Sequence, residues 1–431
     1  MKSRLMAVCL LAAATACAPA GAPSSIGATS PVGQAVILWH SAEGDVRRAL
    51  LAQIDDFNAV NSWGILIVPE YHGSESNLLA QLQASVQARR APDLVLGHPL
   101  DALRLGEAAV PIDPYVVDPV YGMTDADLSD LYPAALDANR DPNRDSALIS
   151  FPVGIEGTIL VYNVDRLSAM GYLTPPNSWP LFKEICLITT GDRDGDRQAD
   201  IFGLGFAPRA EFVSSWFLSR GAPLLTPNGT APGFGGDTGL KLLEILSESS
   251  QAGCLFRTPG VNADVEAFST GRVAMIFART SDLPAINQAV EQRGGFRWNI
   301  APVPNGQLPV TLEVSGSSWI LMRSTPQKQL AGWLFARWFA STDATMAWAG
   351  QTGQMPLRIS SADQLKRQSS NDPAYIASLD LLKFGRATPL VAYWPEVAEA
   401  AARAVLSVVN GDPPAAVHAQ TIDVVNHLIH P

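Results

Sequence analysis

The chain has 431 residues, a formal net charge of −11, 47% hydrophobic residues and 16% charged ones. That length exceeds one ordinary core and suits two domains, and the composition excludes a disordered chain. The acidic balance argues against nucleic acid or an anionic lipid surface as the primary partner.

Lys2 and Arg4 precede an apolar run over 5–16 that is too short to span a bilayer, and small residues stand just before Cys17. Residues 1–16 therefore read as a signal peptide. It resembles the lipoprotein type, in which Cys17 becomes the lipid-modified first residue; ordinary secretory cleavage nearby is the other reading. Residues 17–32, rich in Ala, Pro, Gly and Ser, read as a flexible tether from that anchor. No later apolar run reaches the ~20 residues of a membrane helix. Cys186 and Cys254 are left as either a disulfide or two buried thiols.

The run 35–39 (AVILW) predicts a strand, and Val46, Leu50, Ile54 and Phe57 follow at helical spacing. A second strand at 65–68, a helix carrying Leu78, Leu79, Leu82 and Val86, and a third strand at 94–96 complete a strand-helix alternation. This pattern predicts an α/β fold with a parallel sheet, whose ligands sit at the carboxyl ends of the strands. Those ends are 39–41, 71–74 and 97–98. Residues 111–145 are acidic and turn-rich. Extended segments are expected at 149–154 and 158–162, and helices at 179–187, 211–219 and 238–251. The apolar run 273–277 predicts a buried strand between two helices, followed by a polar break at 279–282. Strands at 298–303 and 318–322 precede a C-terminal part that is nearly all helical.

Nine segments in this order are similar to the family 1 extracellular solute-binding proteins, sugar-type receptors of ABC importers that include the maltose- and glycerol-3-phosphate-binding proteins. They are VILWHSAEG (36–44), APDLVLG (91–97), FPVGIEGTILVYN (151–163), NSWPLFKEI (177–185), GLGFAP (203–208), EAFSTGRVAMIF (266–277), WNIAPVPNG (298–306), VSGSSWIL (314–321) and QTGQMPLR (351–358). The resemblance implies a two-lobed periplasmic-binding-protein-like fold of type II with a multi-crossing hinge. Lobe I would hold 33–151 and 279–314, and lobe II 152–278 and 315–431. It also implies a monomer outside the cytoplasm that binds solute by closing its cleft and presents it to permease subunits in the membrane, with no bond made or broken.

Sugar rings present apolar faces to aromatic side chains and hydroxyls to planar polar groups. On that chemistry the expected ligand contacts are Trp39 and His40, Ser74 and Glu75, Glu156, Trp216, Arg279, Ser281 and Asp282 after the crossing strand, Gly316 and Ser317, and Arg358 and Trp394. Where the family places a Trp soon after that strand, this chain has Arg279-Thr280-Ser281. A carbohydrate is the expected ligand, and a phosphorylated polyol such as glycerol-3-phosphate the alternative, with Arg279 and Arg358 to receive the phosphate. Two other functions compete: a glycosidase using paired carboxylates drawn from Glu43, Glu156 and Glu313, and a sugar-sensing or adhesion lipoprotein. Separately, Asp192, Asp194, Asp196 and Asp200 stand at calcium-loop positions 1, 3, 5 and 9, although the glycine of position 6 and the acid of position 12 are missing. They are the candidate ligands of a structural Ca2+; otherwise no cofactor is expected.

Overall fold

The computed structural model describes residues 26–430 except 193, 197, 259, 261, 294 and 370. The opening alternation forms as expected. Strands Ala35–His40, Leu66–Tyr71 and Leu94–Gly97 pair in parallel, and helices Gly44–Val60 and Glu75–Gln87 connect them. Helix Gly44–Val60 buries Leu50, Ile54 and Phe57, its i, i+4, i+7 stripe, as the spacing requires. Ser74 caps the second helix by accepting from the Asn77 N–H at 3.3 Å. Two antiparallel strands complete this sheet, whose order is Leu66–Tyr71, Ala35–His40, Leu94–Gly97, Ser318–Leu321, Phe151–Pro152.

The second sheet is built on Glu156–Asn163. One edge of that strand pairs with Val273–Arg279, then Phe202–Phe206 and Leu255–Arg257; the other pairs with Trp298–Ala301 and with Leu312–Ser315, which leads to Gly385–Ala387. The central strand is buried on both faces: Ile159 and Val161 join one apolar cluster, Leu160 and Tyr162 another. Such a strand reads as continuous apolar sequence, as EGTILVYN does.

This pairing corrects the expected lobe boundaries. Residues 279–314 stay with the second sheet, because Arg279 to Asp282 do not carry the chain across. They form a short 3-10 turn that Asp282 caps by accepting the Arg279 N–H at 2.9 Å, and helix Leu283–Arg293 then packs against helix Ala263–Ser269 on the same side. Conversely, Ser318–Leu321 belongs to the first sheet. Helix Pro326–Phe339 packs on that sheet, and helix Thr342–Thr352 packs on Gly44–Val60. Helices Trp394–Val409 and Pro414–Ile429 return to the second lobe.

Two crossings run side by side at 152–156 and 315–318. The Val153 N–H donates to the Ser317 carbonyl at 2.9 Å. A Cβ at Gly316 would lie 2.2 Å from the Gly154 carbonyl oxygen, and one at Gly154 would lie 2.5 Å from Gln354 Oε1. Only glycine allows the strands to approach this closely. Of the two readings of the cysteines, the structure shows the disulfide: Cys186 and Cys254 are bonded, their Cα atoms 5.7 Å apart, tying helix Trp179–Thr189 to the turn before Leu255–Arg257. Cys17 and the signal segment lie outside the described residues. No helix among the described residues is long and apolar enough to cross a membrane.

Candidate functional site

Between the two sheets lies a cleft made of three adjoining hollows. One, of about 420 Å³, is bounded on the first lobe by the turn at 41–43, by Ser74 and Glu75, and by His98 and Asp101. A second, of about 380 Å³, is bounded on the second lobe by Thr158, by Glu211, Ser214 and Ser215 of helix Ala210–Ser219, and by Glu313 and Trp394. Arg279 lines both. The third, mostly apolar, shares His98 and Ser317 with the first and Trp394 with the second.

On the first-lobe wall His98 Nε2 lies 3.3 Å from Glu75 Oε1, and Asp101 accepts the His98 backbone N–H at 2.9 Å. Burial would lower the imidazole pKa, but the Glu75 hydrogen bond and the charges of Glu75 and Asp101 outweigh it and push His98 up to about 9. His98 is thus a cation at neutral pH, and its bond holds the Glu75 carboxyl below the usual range. Arg279 donates to Asp282 at 3.2 Å. Burial acts against its charge, and the charges of Asp282, Glu156 and Glu211 hold it. Glu156 also accepts from Gln354 Nε2 at 3.1 Å.

The second-lobe wall differs. Glu313 accepts from Ser214 Oγ at 2.6 Å and from Ser215 Oγ at 2.8 Å. Burial pushes its carboxyl up to about 7, against those two hydrogen bonds. Arg386 is opposite Glu313 in the strand register but is exposed to solvent.

Of the expected ligand contacts, Ser74, Glu75, Glu156, Arg279, Gly316, Ser317 and Trp394 line the cleft. The others do not. His40 is 1% exposed and turned inward with Val36 and Leu38, because alternate strand residues face one way; burial first, then Arg47 and His72, lowers its pKa to about 4. Trp39 is on the opposite face, stacked on His72 at 3.8 Å and donating to Glu70 at 2.7 Å. Trp216 is core, packed against Trp179, Phe206 and Phe277. Asp282 caps the turn and holds Arg279 in place, and Ser281 is in that turn beside Gly353. Arg358 is buried away from the cleft and fastens the acidic segment, donating to Asp127 at 3.0 Å and Asp130 at 3.2 Å.

His98, Ser214, Ser215 and Glu313 also line the cleft and are absent from the expected set. His98 was signalled by its place after the third strand. Glu211, Ser214 and Ser215 are spaced i, i+3, i+4 on a helix whose other face is apolar, which also marks a polar wall.

In the acidic loop, carboxylate oxygens of Asp192, Asp194 and Asp200 lie within 4.8 Å of one another, whereas Asp196 falls outside that group and accepts the Gln198 N–H at 2.7 Å. The Gly195 N–H donates to Asp192 at 2.6 Å and the Asp196 N–H to Asp194 at 3.1 Å. Three converging oxygens suit a hard cation, though they leave most of a calcium shell to be supplied by backbone and water.

Two sheets covered by helices, a pair of antiparallel crossings and a polar cleft between them define a two-lobed binding protein. The model of the bacterial extracellular solute-binding proteins matches residues 52–377, and the chain belongs to that family. The sn-glycerol-3-phosphate-binding periplasmic protein UgpB of Pectobacterium atrosepticum is 22% identical over 80% of this chain and 78% of its own length. In fold, the sugar-binding protein MalE of Xanthomonas citri superposes with a TM-score of 0.79 at 20% identity, over 92% of this chain and 97% of that one. The cyclic alpha-maltosyl-1,6-maltose binding protein of Arthrobacter globiformis gives 0.77 at 18%, over 92% and 99%.

Proposed function

We propose that this solute-binding protein is the receptor of an ABC importer, that it captures a carbohydrate or similar polyhydroxyl solute in the cleft, and that hinge closure at 152–156 and 315–318 presents the solute to the permease. The observation that carries this reading is the cleft itself: one indole, Trp394, stands among hydroxyl and carboxylate side chains supplied by both lobes. Aromatic faces and placed polar groups are what a sugar ring requires. The protein acts as a monomer, outside the cytoplasm, tethered through Cys17. It breaks no bond: solute capture is what its family does, and a neutral polyol uses the same carboxylates as hydrogen-bond acceptors.

The test is a thermal-shift screen of the purified protein over mono- and oligosaccharides, polyols and glycerol phosphates. A cognate solute raises the melting temperature by mass action, quenches Trp fluorescence and is recovered intact. Release of reducing sugar from an oligosaccharide would instead establish a glycosidase.

The loop at 192–200 is proposed to hold a structural Ca2+ through Asp192, Asp194 and Asp200. Calorimetric titration with calcium should show uptake that the Asp194→Asn variant loses, and silence in the wild type would dispose of the site.

A further inference from the structure

The charges around the cleft say more about the solute than its hydroxyls do. Resting on the receptor reading above, we propose that the captured solute carries a protonated nitrogen beside its hydroxyls, as an amino sugar or another aminated polyol does, and that this nitrogen seats in the second-lobe hollow between Glu313, Glu211 and the indole of Trp394.

Three observations support this assignment. First, the cations that line these three hollows already face carboxylates. His98 is held by Glu75 and Asp101, and Arg279 by Asp282, Glu156 and Glu211. Each of these cations faces carboxylates, although the buried Arg279 Nε–H has no hydrogen-bond partner among the described residues. Second, Glu313 is a carboxyl in the same cleft whose partners among the described residues are two serine hydroxyls and no cationic side chain. A carboxylate removed from water without a counter-charge is unfavourable, and an arriving ammonium relieves that penalty while donating up to three hydrogen bonds. The upward displacement of its pKa is the sign of that unmet demand. Third, the hollow beside Glu313 is walled by the indole of Trp394, and its charged side chains are the carboxylates of Glu313, Glu211 and Glu399 against the single guanidinium of Arg279, which Asp282 and Glu156 also offset. An aromatic face next to carboxylates attracts a cation twice over, through the ring quadrupole and through charge. Thr158, Ser214 and Ser215 leave hydroxyls nearby for the rest of the solute.

The experiment is isothermal titration of the full chain with matched probes at low and at moderate salt: glucose and glucosamine, maltotriose and fully deacetylated chitotriose, N-acetylated chitotriose, and sn-glycerol-3-phosphate. The expected result is that an aminated probe binds at least tenfold more tightly than its uncharged counterpart and weakens as salt is added. Glu313→Gln, which keeps the shape and the two serine contacts, should remove that preference while sparing the weaker binding of neutral probes. Glu211→Gln, at the exposed start of its helix, should reduce it several-fold and serves as the control should Glu313→Gln fail to fold. Tighter binding of a neutral sugar or of glycerol-3-phosphate than of every aminated probe would overturn the inference and leave the receptor reading standing. Failure of every probe to bind would overturn both.

Discussion

On the first-lobe wall of the cleft, His98 meets Glu75 and Asp101 across a few ångströms. Where strand Val273–Arg279 ends at the cleft, Arg279 meets Asp282. On the second-lobe wall Glu313 meets two hydroxyls. In this sense the first wall is complete before any solute arrives and the second is not: the cation of one meets carboxylates, whereas Glu313 of the other meets no cation among the described residues. The complete wall can fix the position of a ligand but has little charge to give it; the incomplete wall stands to gain most from one. The same contrast extends to how each lobe is held together. The second lobe, with its uncompensated carboxyl, also has the Cys186–Cys254 bond, whereas the described part of the first contains no cysteine.

The largest expected effect follows from that bond. It closes a loop across a sequence separation of 68, for which the chain-entropy model gives about 4 kcal/mol of stabilisation. Replacing both cysteines with serine, or reducing the protein, should lower the unfolding free energy of the second lobe by that order, read as a fall in its denaturant midpoint. If the two lobes unfold separately, only one transition should move. A uniform shift of both would show that the lobes unfold as one unit and that the contrast between them is not a contrast in stability.

Next in size is the cost of Glu313. Its folded-state pKa of about 7 is above the ordinary glutamate value, so the folded protein binds this proton more tightly than the unfolded chain does. The stability it contributes is fully present below about pH 4.5 and is lost as pH rises through 7. Glu313→Gln should flatten that decline and leave the variant more stable than wild type at pH 8, by roughly 1–3 kcal/mol. Equal stability at pH 5 and at pH 8 in both proteins would mean that Glu313 is already compensated, and the two walls would then be alike.

How much of this was legible in the sequence depends on the residue. The strand-helix alternation, the ends of the first three strands and the polar turn at 279–282 are local patterns and read directly. Which side chain at a strand end faces the cleft is a matter of a two-residue period that a short apolar run does not phase: AVILWH is apolar at five consecutive positions, so His40 could not be distinguished from Trp39, and neither lines the cleft hollows. In helix Ala210–Ser219 the phase was available, since Glu211, Ser214 and Ser215 share one face and Phe212 and Trp216 the other, and attention to the tryptophan hid it. Arg358 could not have been placed from its own neighbourhood. Its partners Asp127 and Asp130 are more than two hundred residues away in sequence, in the acidic segment that looked featureless. The lobe boundaries failed for a similar reason, because whether a strand crosses or returns is decided by the long-range pairing of Trp298–Ala301 and Leu312–Ser315 with Glu156–Asn163.

The smallest effect is the most local test of the complete wall. His98 is pushed up to about 9 although burial alone would depress it, so the elevation comes from its partners, chiefly Glu75. A group raised in this way stabilises the fold fully below its unfolded pKa of about 6.5 and loses that contribution as pH climbs through 9. Because the pair is partly exposed, the change in stability should be modest, and the imidazole itself is the better reporter. Followed by NMR, its titration in wild type should centre near 9. In Glu75→Gln, burial regains the upper hand over the remaining pull of Asp101 and the Gly316 carbonyl, and the midpoint should fall markedly. The two walls also make opposite predictions on closure. A cationic solute drawn to Glu313 should lower the carboxyl's pKa and release a proton near neutral pH, while the His98 midpoint stays nearly fixed because its charges are already matched. A large movement of His98 on binding, with none at Glu313, would reverse the roles of the walls.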